Sequence, residues 1–291
     1  MFVKEFDVLL VDDEPDVLEV SRLAMRSFRV YGLPLRLHTA KSKAEAIQLY
    51  DKTFPMQVRG MSTLMVAFVD VVMETDHAGL ELCEYIREEK GDKNAQLYVR
   101  TGQPGVAPQR AVIERYDISG YIAKAEVTED KLYTLVKSGI RQAYCYGTAV
   151  VLGQILQGLV VASDSREKLE AALARLGKQP RTTGDGRAVE VIDFWSAYVF
   201  DGKVVSGAID ADAKRALELR DRMSGKPGTP LGPEGDKVVV DGRDFLFKIA
   251  KTSTTAEMSY VGTGTAPLPE VLVGLYQGFL RSVAAMWQKT R

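Results

Sequence analysis

From Asp7 to about Ala125, short apolar runs alternate with longer stretches of helical periodicity, an order that few folds accommodate. It predicts βαβ units and a parallel sheet, because parallel strands need long crossovers and bury both of their faces. Five strand candidates follow one another at residues 8–11, 35–38, 64–69, 96–100 and 121–123. The helices between them have readable starts. Pro15 suits a first helical turn, and Ser42 with Glu45 forms a capping box ahead of AlaIleGlnLeuTyr. The expected fold is α/β, a doubly wound five-stranded parallel sheet that binds ligands beyond the carboxyl ends of its strands.

The residues at those ends carry chemistry. PheAspValLeuLeuVal runs into Asp12 and Asp13, and LeuMetValAlaPheVal runs into Asp70. Three clustered carboxylates repel one another unless a hard dication sits between them, and an all-oxygen site with room for waters suits Mg²⁺. Thr101 ends the fourth candidate and Lys124 the fifth, so both should emerge on the same crevice. A phosphoryl group in transfer spreads charge over three equatorial oxygens, and a metal, a lysine and a hydroxyl can meet them. A lone AspAsp or a lone lysine is usually solvated surface charge, but coincidence does not place five such residues at matching strand ends.

The length of 291 residues allows two domains, each with its own core. With 38 Lys and Arg against 39 Asp and Glu, charge gives no reason to expect nucleic acid or an acidic membrane as partner. Cys83 and Cys145 lie far apart, and Cys83 falls in an apolar helical pattern, so a buried inert thiol is expected and a disulfide is not. The start MetPheValLysGluPheAspVal lacks the plan of a secretory signal, and the apolar residues 147–162 are few for a membrane span and interrupted by Gln154 and Gln157. A cytoplasmic protein without a membrane partner is expected, with that stretch a buried or dimer-facing helix.

Thr128 can cap a helix in which Leu132, Leu135, Val136, Ile140, Ala143, Val150, Val151 and Ile155 recur at helical spacing. Gly139, Gly147, Gly153 and Gly158 argue against its continuity, each costing about 1 kcal/mol relative to Ala. A second capping box is read at Asp164 and Glu167. After Gly177 the pattern becomes a hairpin turning at residues 201–203, a helix at 211–223, and a Gly- and Pro-rich surface loop at 224–235. A hairpin around Asp241 and Gly242 and an amphipathic terminal helix complete a smaller α+β domain. The aromatics Phe194, Trp195, Tyr198, Phe200, Phe245 and Phe247 are expected in its core, with a small-molecule pocket as the minority reading. The acids Glu190, Asp193, Asp201, Asp210 and Asp212 read as turn and helix-start residues, and GlyThrGlyThr at 262–265 as a turn rather than a phosphate loop. Both histidines, His38 and His77, precede this domain, which excludes from it a paired-histidine metal site. From Gly158 onward Lys and Arg number 19 against 17 Asp and Glu, and no helix-turn-helix is evident, so DNA is not an expected partner.

The ordered set Asp12, Asp13, Asp70, Thr101 and Lys124 resembles the receiver domain of two-component response regulators, over about residues 6–135. That resemblance makes Asp70 the phosphoacceptor towards a phosphohistidine of a sensor histidine kinase or phosphotransfer protein. It implies Mg²⁺ held by Asp13, Asp70 and the backbone carbonyl of Val72, with Asp12 bound through water. It pairs Lys124 with the phosphoryl oxygens and makes Thr101 and Tyr121 the switch residues. Glu74 stands where a proline is usual, the loop to Gly79 is one residue longer, and Ala125 replaces the usual cis-proline. The strings ValValMetGluThrAspHisAlaGlyLeu, ArgThrGlyGlnProGlyValAlaPro and ArgTyrAspIleSerGlyTyr resemble a receiver subfamily with these same substitutions. In that subfamily a GAF-like domain commonly follows, and residues 155–176 are similar to its entry. Val72 and Gln103 flank the phosphorylation site; apolar Val72 cannot orient an attacking water whereas Gln103 could, which leaves the lifetime of the phosphoryl group open, with slow dephosphorylation as the working hypothesis.

The implied organisation is a receiver at 1–127, a connecting and dimerisation helix at 128–163, and a GAF-like output or sensory domain at 164–291. The expected function is a response regulator that switches a C-terminal interaction domain, as a homodimer with a downstream protein partner. The alternative is an enzyme or nucleotide sensor gated by the receiver, with its chemistry in residues 180–291.

Overall fold

A computed structural model describes residues 3–58, 61–102, 109–176, 195–205, 210–264 and 266–290. Two units emerge, Glu5–Gly147 and Thr148–Arg291 together with Met1–Lys4. The first contains strands β1 (Phe6–Val11), β2 (Arg29–Val30), β3 (Leu33–Ala40), β4 (Met56–Val58), β5 (Met61–Ser62), β6 (Leu64–Asp70), β7 (Gln96–Thr101) and β8 (Gly120–Ala123). Helices α1 (Pro15–Met25), α2 (Lys43–Thr53), α3 (Ala78–Glu84) and α4 (Gln109–Tyr116) lie between them, and α5 (Glu129–Ala162) crosses from the first unit into the second.

The first sheet has the order β2-β3-β1-β6-β7-β8. Strands β3, β1, β6, β7 and β8 pair in parallel, and β2 adds a short antiparallel edge. This is the flavodoxin-like doubly wound order 2-1-3-4-5, with its reversal between β1 and β6. Each of the five expected strands is present. The two-residue β2 and the β4–β5 hairpin were not foreseen, being too short to show a period.

Both faces of the sheet are buried, as the near-continuous apolar runs require. Leu9, Val11, Val69 and Val99 pack with Leu80, Cys83 and Ile86, while Val8, Leu10, Val66 and Phe68 are equally shielded. Burial pushes the Cys83 thiol up to about 12, so it is inert at neutral pH. Ser42 Oγ caps α2 by accepting from the Glu45 N–H at 3.1 Å. The Glu45 carboxylate reaches one residue further back than a capping box predicts, to the Lys41 N–H at 2.8 Å.

Helix α5 runs unbroken for 34 residues, so its glycines are not breaks. Two are close-approach sites: a Cβ on Gly139 would lie 2.9 Å from a Val66 methyl, and one on Gly147 2.6 Å from Met61 Sδ. Thr128 Oγ1 accepts from the Lys131 N–H at 3.2 Å, as expected of a cap. The apolar stretch at 147–162 is the end of this longer helix. Counted over the whole helix, α5 is long and apolar enough to cross a membrane by length and composition, with 17% of its apolar window buried.

The second unit continues with α6 (Arg166–Leu176), β9 (Trp195–Phe200), β10 (Lys203–Val205), α7 (Asp210–Ser224), β11 (Thr229–Pro230), β12 (Lys237–Asp241), β13 (Asp244–Ile249), β14 (Met258–Thr263) and α8 (Glu270–Lys289). Its antiparallel sheet has the order β10-β9-β14-β13-β12-β11. The β9–β10 turn places Asp201 and Gly202 at positive φ, which suits a two-residue hairpin. Phe200 stacks on Trp287 at 3.8 Å between ring centroids, and Tyr198, Phe200, Phe245 and Phe247 are buried, which is the core expected of them, while Trp195 is half-buried.

Four expectations change. The cap of α6 is Ser165, whose Oγ accepts from the Lys168 N–H at 3.3 Å, while Asp164 instead pairs with Lys168 Nζ at 3.1 Å. Gly262 and Thr263 lie inside β14 rather than in a turn, and glycine is needed there because a Cβ would collide with the Trp195 carbonyl. The loop at 224–235 contains the edge strand β11. Finally, β14 itself was not singled out, since MetSerTyrValGlyThr mixes small and polar residues. Gln103, Glu190, Asp193, Phe194 and Thr265 lie outside the described residues.

Candidate functional site

The switch between β1 and β6 gathers the acids. Asp12 follows β1 directly, and its Oδ1 accepts the Glu14 N–H at 3.1 Å, an Asx turn that leads into Pro15 at the start of α1. Asp13 and Glu14 are exposed, whereas Asp12 and Asp70, the last residue of β6, are buried. Ligand atoms of Asp12, Asp13, Glu14 and Asp70 all lie within 4.8 Å of one another.

Two cations answer them. Lys124, just beyond β8, places Nζ 2.7 Å from Asp70 Oδ2, 3.1 Å from Asp12 Oδ2 and 2.9 Å from Glu14 Oε1. Arg100, the penultimate residue of β7, places Nη2 3.1 Å from Asp12 Oδ2 and donates through Nη1 to Ser21 Oγ at 3.0 Å. Burial raises the Asp70 carboxyl above its ordinary value, and the charge of Asp12 adds to the shift while Lys124 opposes it. Burial also works against the Lys124 ammonium, but Asp70, Glu14 and Asp12 outweigh it and hold the group firmly protonated.

This donor set fits a hard dication. Four carboxylates against two cations leave two uncompensated negative charges, and every candidate ligand is oxygen. A nucleophilic carboxylate, a cation within hydrogen-bonding distance and a metal-binding rim are the parts that phosphoryl transfer uses.

The remaining expected residues are placed as follows. Thr101 ends β7 and is buried. Tyr121 on β8 is half-buried against the core beside α4. Val72 is exposed, two residues past Asp70. Lys124 and Ala125 lie in a 3₁₀ turn, Lys124–Glu126.

Three residues at the site were not anticipated. Glu14 reads as an ordinary helix-start acid. Arg100 carries a signal that was available, a charge inside an otherwise apolar strand with both faces buried. Gly79 lets α3 begin against Asp70, where a Cβ would collide with the Asp70 carbonyl, and its N–H donates to Val71 O at 3.1 Å.

No protein-family model matches the chain. A curated relative, the 3'3'-cGAMP-specific phosphodiesterase 2 of Vibrio cholerae serotype O1, is 42% identical over 134 residues, 46% of this chain and 24% of that protein. The chain thus spans about a quarter of the length of the curated relative it matches. Among solved structures, the signal receiver domain of an HD domain-containing protein from Pseudomonas fluorescens is 17% identical, with a TM-score of 0.40 over 50% of this chain and 93% of that one. A response regulator from Chloroflexus aurantiacus is 25% identical, with a TM-score of 0.38 over 47% and 98%.

Proposed function

We propose that the first unit is a receiver of two-component phosphorelay signalling, which takes a phosphoryl group onto Asp70. The observation that carries this is Lys124 Nζ at 2.7 Å from Asp70, beside Asp12, at the switch point of a 2-1-3-4-5 parallel sheet. An Asp70 carboxylate oxygen attacks phosphorus, the nitrogen–phosphorus bond of the donor phosphohistidine breaks, and the imidazole keeps the electron pair. Lys124 then turns from Asp70 to the new phosphoryl oxygens. Asp13, Asp70 and the Val72 carbonyl would hold Mg²⁺, with Asp12 bound through water, and the ion supplies charge neutralisation at the phosphoryl oxygens. Thr101, at the end of the neighbouring strand, hydrogen-bonds the phosphoryl group, and Tyr121 follows it inward. The donor is a sensor histidine kinase or phosphotransfer protein. Phosphorylation acts by its differential affinity for two states of the receiver, which these new contacts supply.

On this reading the receiver spans residues 1–127, the connecting and dimerisation helix 128–163, and a GAF-like output domain 164–291. The protein is a cytoplasmic homodimer acting on a downstream protein. Support for a helix outside lipid comes from the first half of α5, where Leu132, Val136, Ile140 and Ala143 are buried and Gly139 approaches Val66 and Tyr98. The test is Mg²⁺-dependent labelling of the full chain with acetyl phosphate, read by phosphate-affinity electrophoresis. One base-labile, hydroxylamine-sensitive phosphoryl group is expected, and full labelling of Asp70→Asn would overturn the assignment.

A second reading follows from the curated relative, whose name states a cyclic-dinucleotide phosphodiesterase. Here the receiver gates an enzyme or nucleotide sensor built from residues 180–291. That segment contains no histidine, so it cannot form the paired-histidine metal site of an HD-type phosphodiesterase. Hydrolysis of 3'3'-cGAMP by this chain, or a nucleotide thermal shift surviving removal of residues 1–125, favours this reading. A phosphorylation-dependent change in oligomer size favours the first.

A further inference from the structure

Arg100 is 2% exposed and Asp12 is fully buried, so their ion pair is shut away from water. A guanidinium keeps its charge at any physiological pH, and burying it beside an acid cluster is costly unless it performs a task there. Its fork is only partly used: Nη1 and Nη2 are bonded to Ser21 and Asp12, while Nε has no partner among the described residues. Asp12 meanwhile is claimed twice on one oxygen, since Lys124 and Arg100 both lie 3.1 Å from Oδ2.

We propose that Arg100 is a positioning residue, a built-in countercharge that keeps Asp12 compensated and oriented when Lys124 turns to another anion. The proposal rests on the reading of the acid cluster as a divalent-cation site. Without Arg100, departure of Lys124 would leave Asp12 as a naked buried carboxylate, so the lysine would stay. With it, Lys124 is exchangeable. The same permanent charge opposes a dication bound to the neighbouring carboxylates, so Arg100 holds divalent affinity down and leaves the site able to release its metal.

The test is Mg²⁺ binding to the full chain, measured by calorimetry, with thermal melts in the presence and absence of Mg²⁺. Arg100→Met should melt lower without metal and bind Mg²⁺ about tenfold more tightly, and Mg²⁺ should raise its melting temperature more than that of the unaltered chain. Arg100→Lys, which keeps the charge, should bind within about twofold of the unaltered chain. Unchanged or weaker binding in Arg100→Met overturns the proposal. If Arg100→Met does not fold, the double change Asp12→Asn with Arg100→Met removes both buried charges. It should recover at least about threefold of the Mg²⁺ affinity lost in Asp12→Asn alone, and no recovery overturns the proposal. Phosphorylation is scored separately: affinities in this order without labelling at Asp70 refute the receiver and spare the countercharge, and labelling without this order does the reverse. An unaltered chain that takes up no Mg²⁺ refutes both.

Discussion

At the scale of single residues, the site is a balance of buried charges. Lys124→Met leaves Asp70 and Asp12 facing each other with Arg100 as the sole remaining cation close to Asp12 among the described residues. The metal-free protein should lose about 1–3 kcal/mol, read from urea unfolding, and added Mg²⁺ should return part of it. Gly79 is a second point of leverage. Gly79→Ala would force the start of α3 away from the Asp70 carbonyl, costing about 1–3 kcal/mol and slowing labelling of Asp70 by acetyl phosphate. Most of the site was legible in the sequence, because Asp12, Asp13, Asp70, Thr101 and Lys124 each follow or end an apolar run. Arg100 showed there only as a charge inside a buried strand, and neither its partner nor the part of Glu14 was legible, since a charge partner across two strands is a tertiary relation.

At the scale of elements, α5 separates intrinsic preference from packing. Gly139→Ala gains helix propensity but puts a methyl 2.9 Å from Val66, so it should destabilise by about 1–3 kcal/mol. Gly153 has nothing within 4 Å of an added Cβ, so Gly153→Ala should stabilise by about 0.5–1 kcal/mol, and thermal melts of the pair separate the two effects. In the second unit, Asp236 ties the β11–β12 loop to α8. Its carboxylate accepts from the Ala250 N–H at 2.9 Å, from Gln277 Nε2 at 2.9 Å and from Arg281 Nε at 2.6 Å. Burial alone would raise its pKa, but these donors prevail and hold it below 3.8. A depressed folded-state value adds stability that is present above 3.8 and lost as pH falls through the folded value. Asp236→Asn should therefore cost about 1–3 kcal/mol at pH 7 and progressively less below 3.8, as urea melts across that window would register. Periodicity foretold the long elements, while β2, β4, β5 and β14 escaped it because they are too short or too mixed in composition.

For the whole molecule, α5 is an element shared by both units, and Val160 and Val161 near its end are 59% and 76% exposed. If the proposed homodimer uses this face, Val160→Ser with Val161→Ser should lower self-association in sedimentation velocity. Asp70 phosphorylation should shift the unaltered chain between the same two sizes. The sequence by itself determined the α/β class of the first unit and the acids and lysine of its crevice, because a parallel sheet writes its buried strands as apolar runs and its ligand side as their polar ends. Only the tertiary structure decided that Arg100 shares Asp12 with Lys124, that Gly79 must lack a side chain and that the glycines of α5 are contact points. Those facts depend on which atoms meet across elements distant in the chain, and local pattern carries no distances.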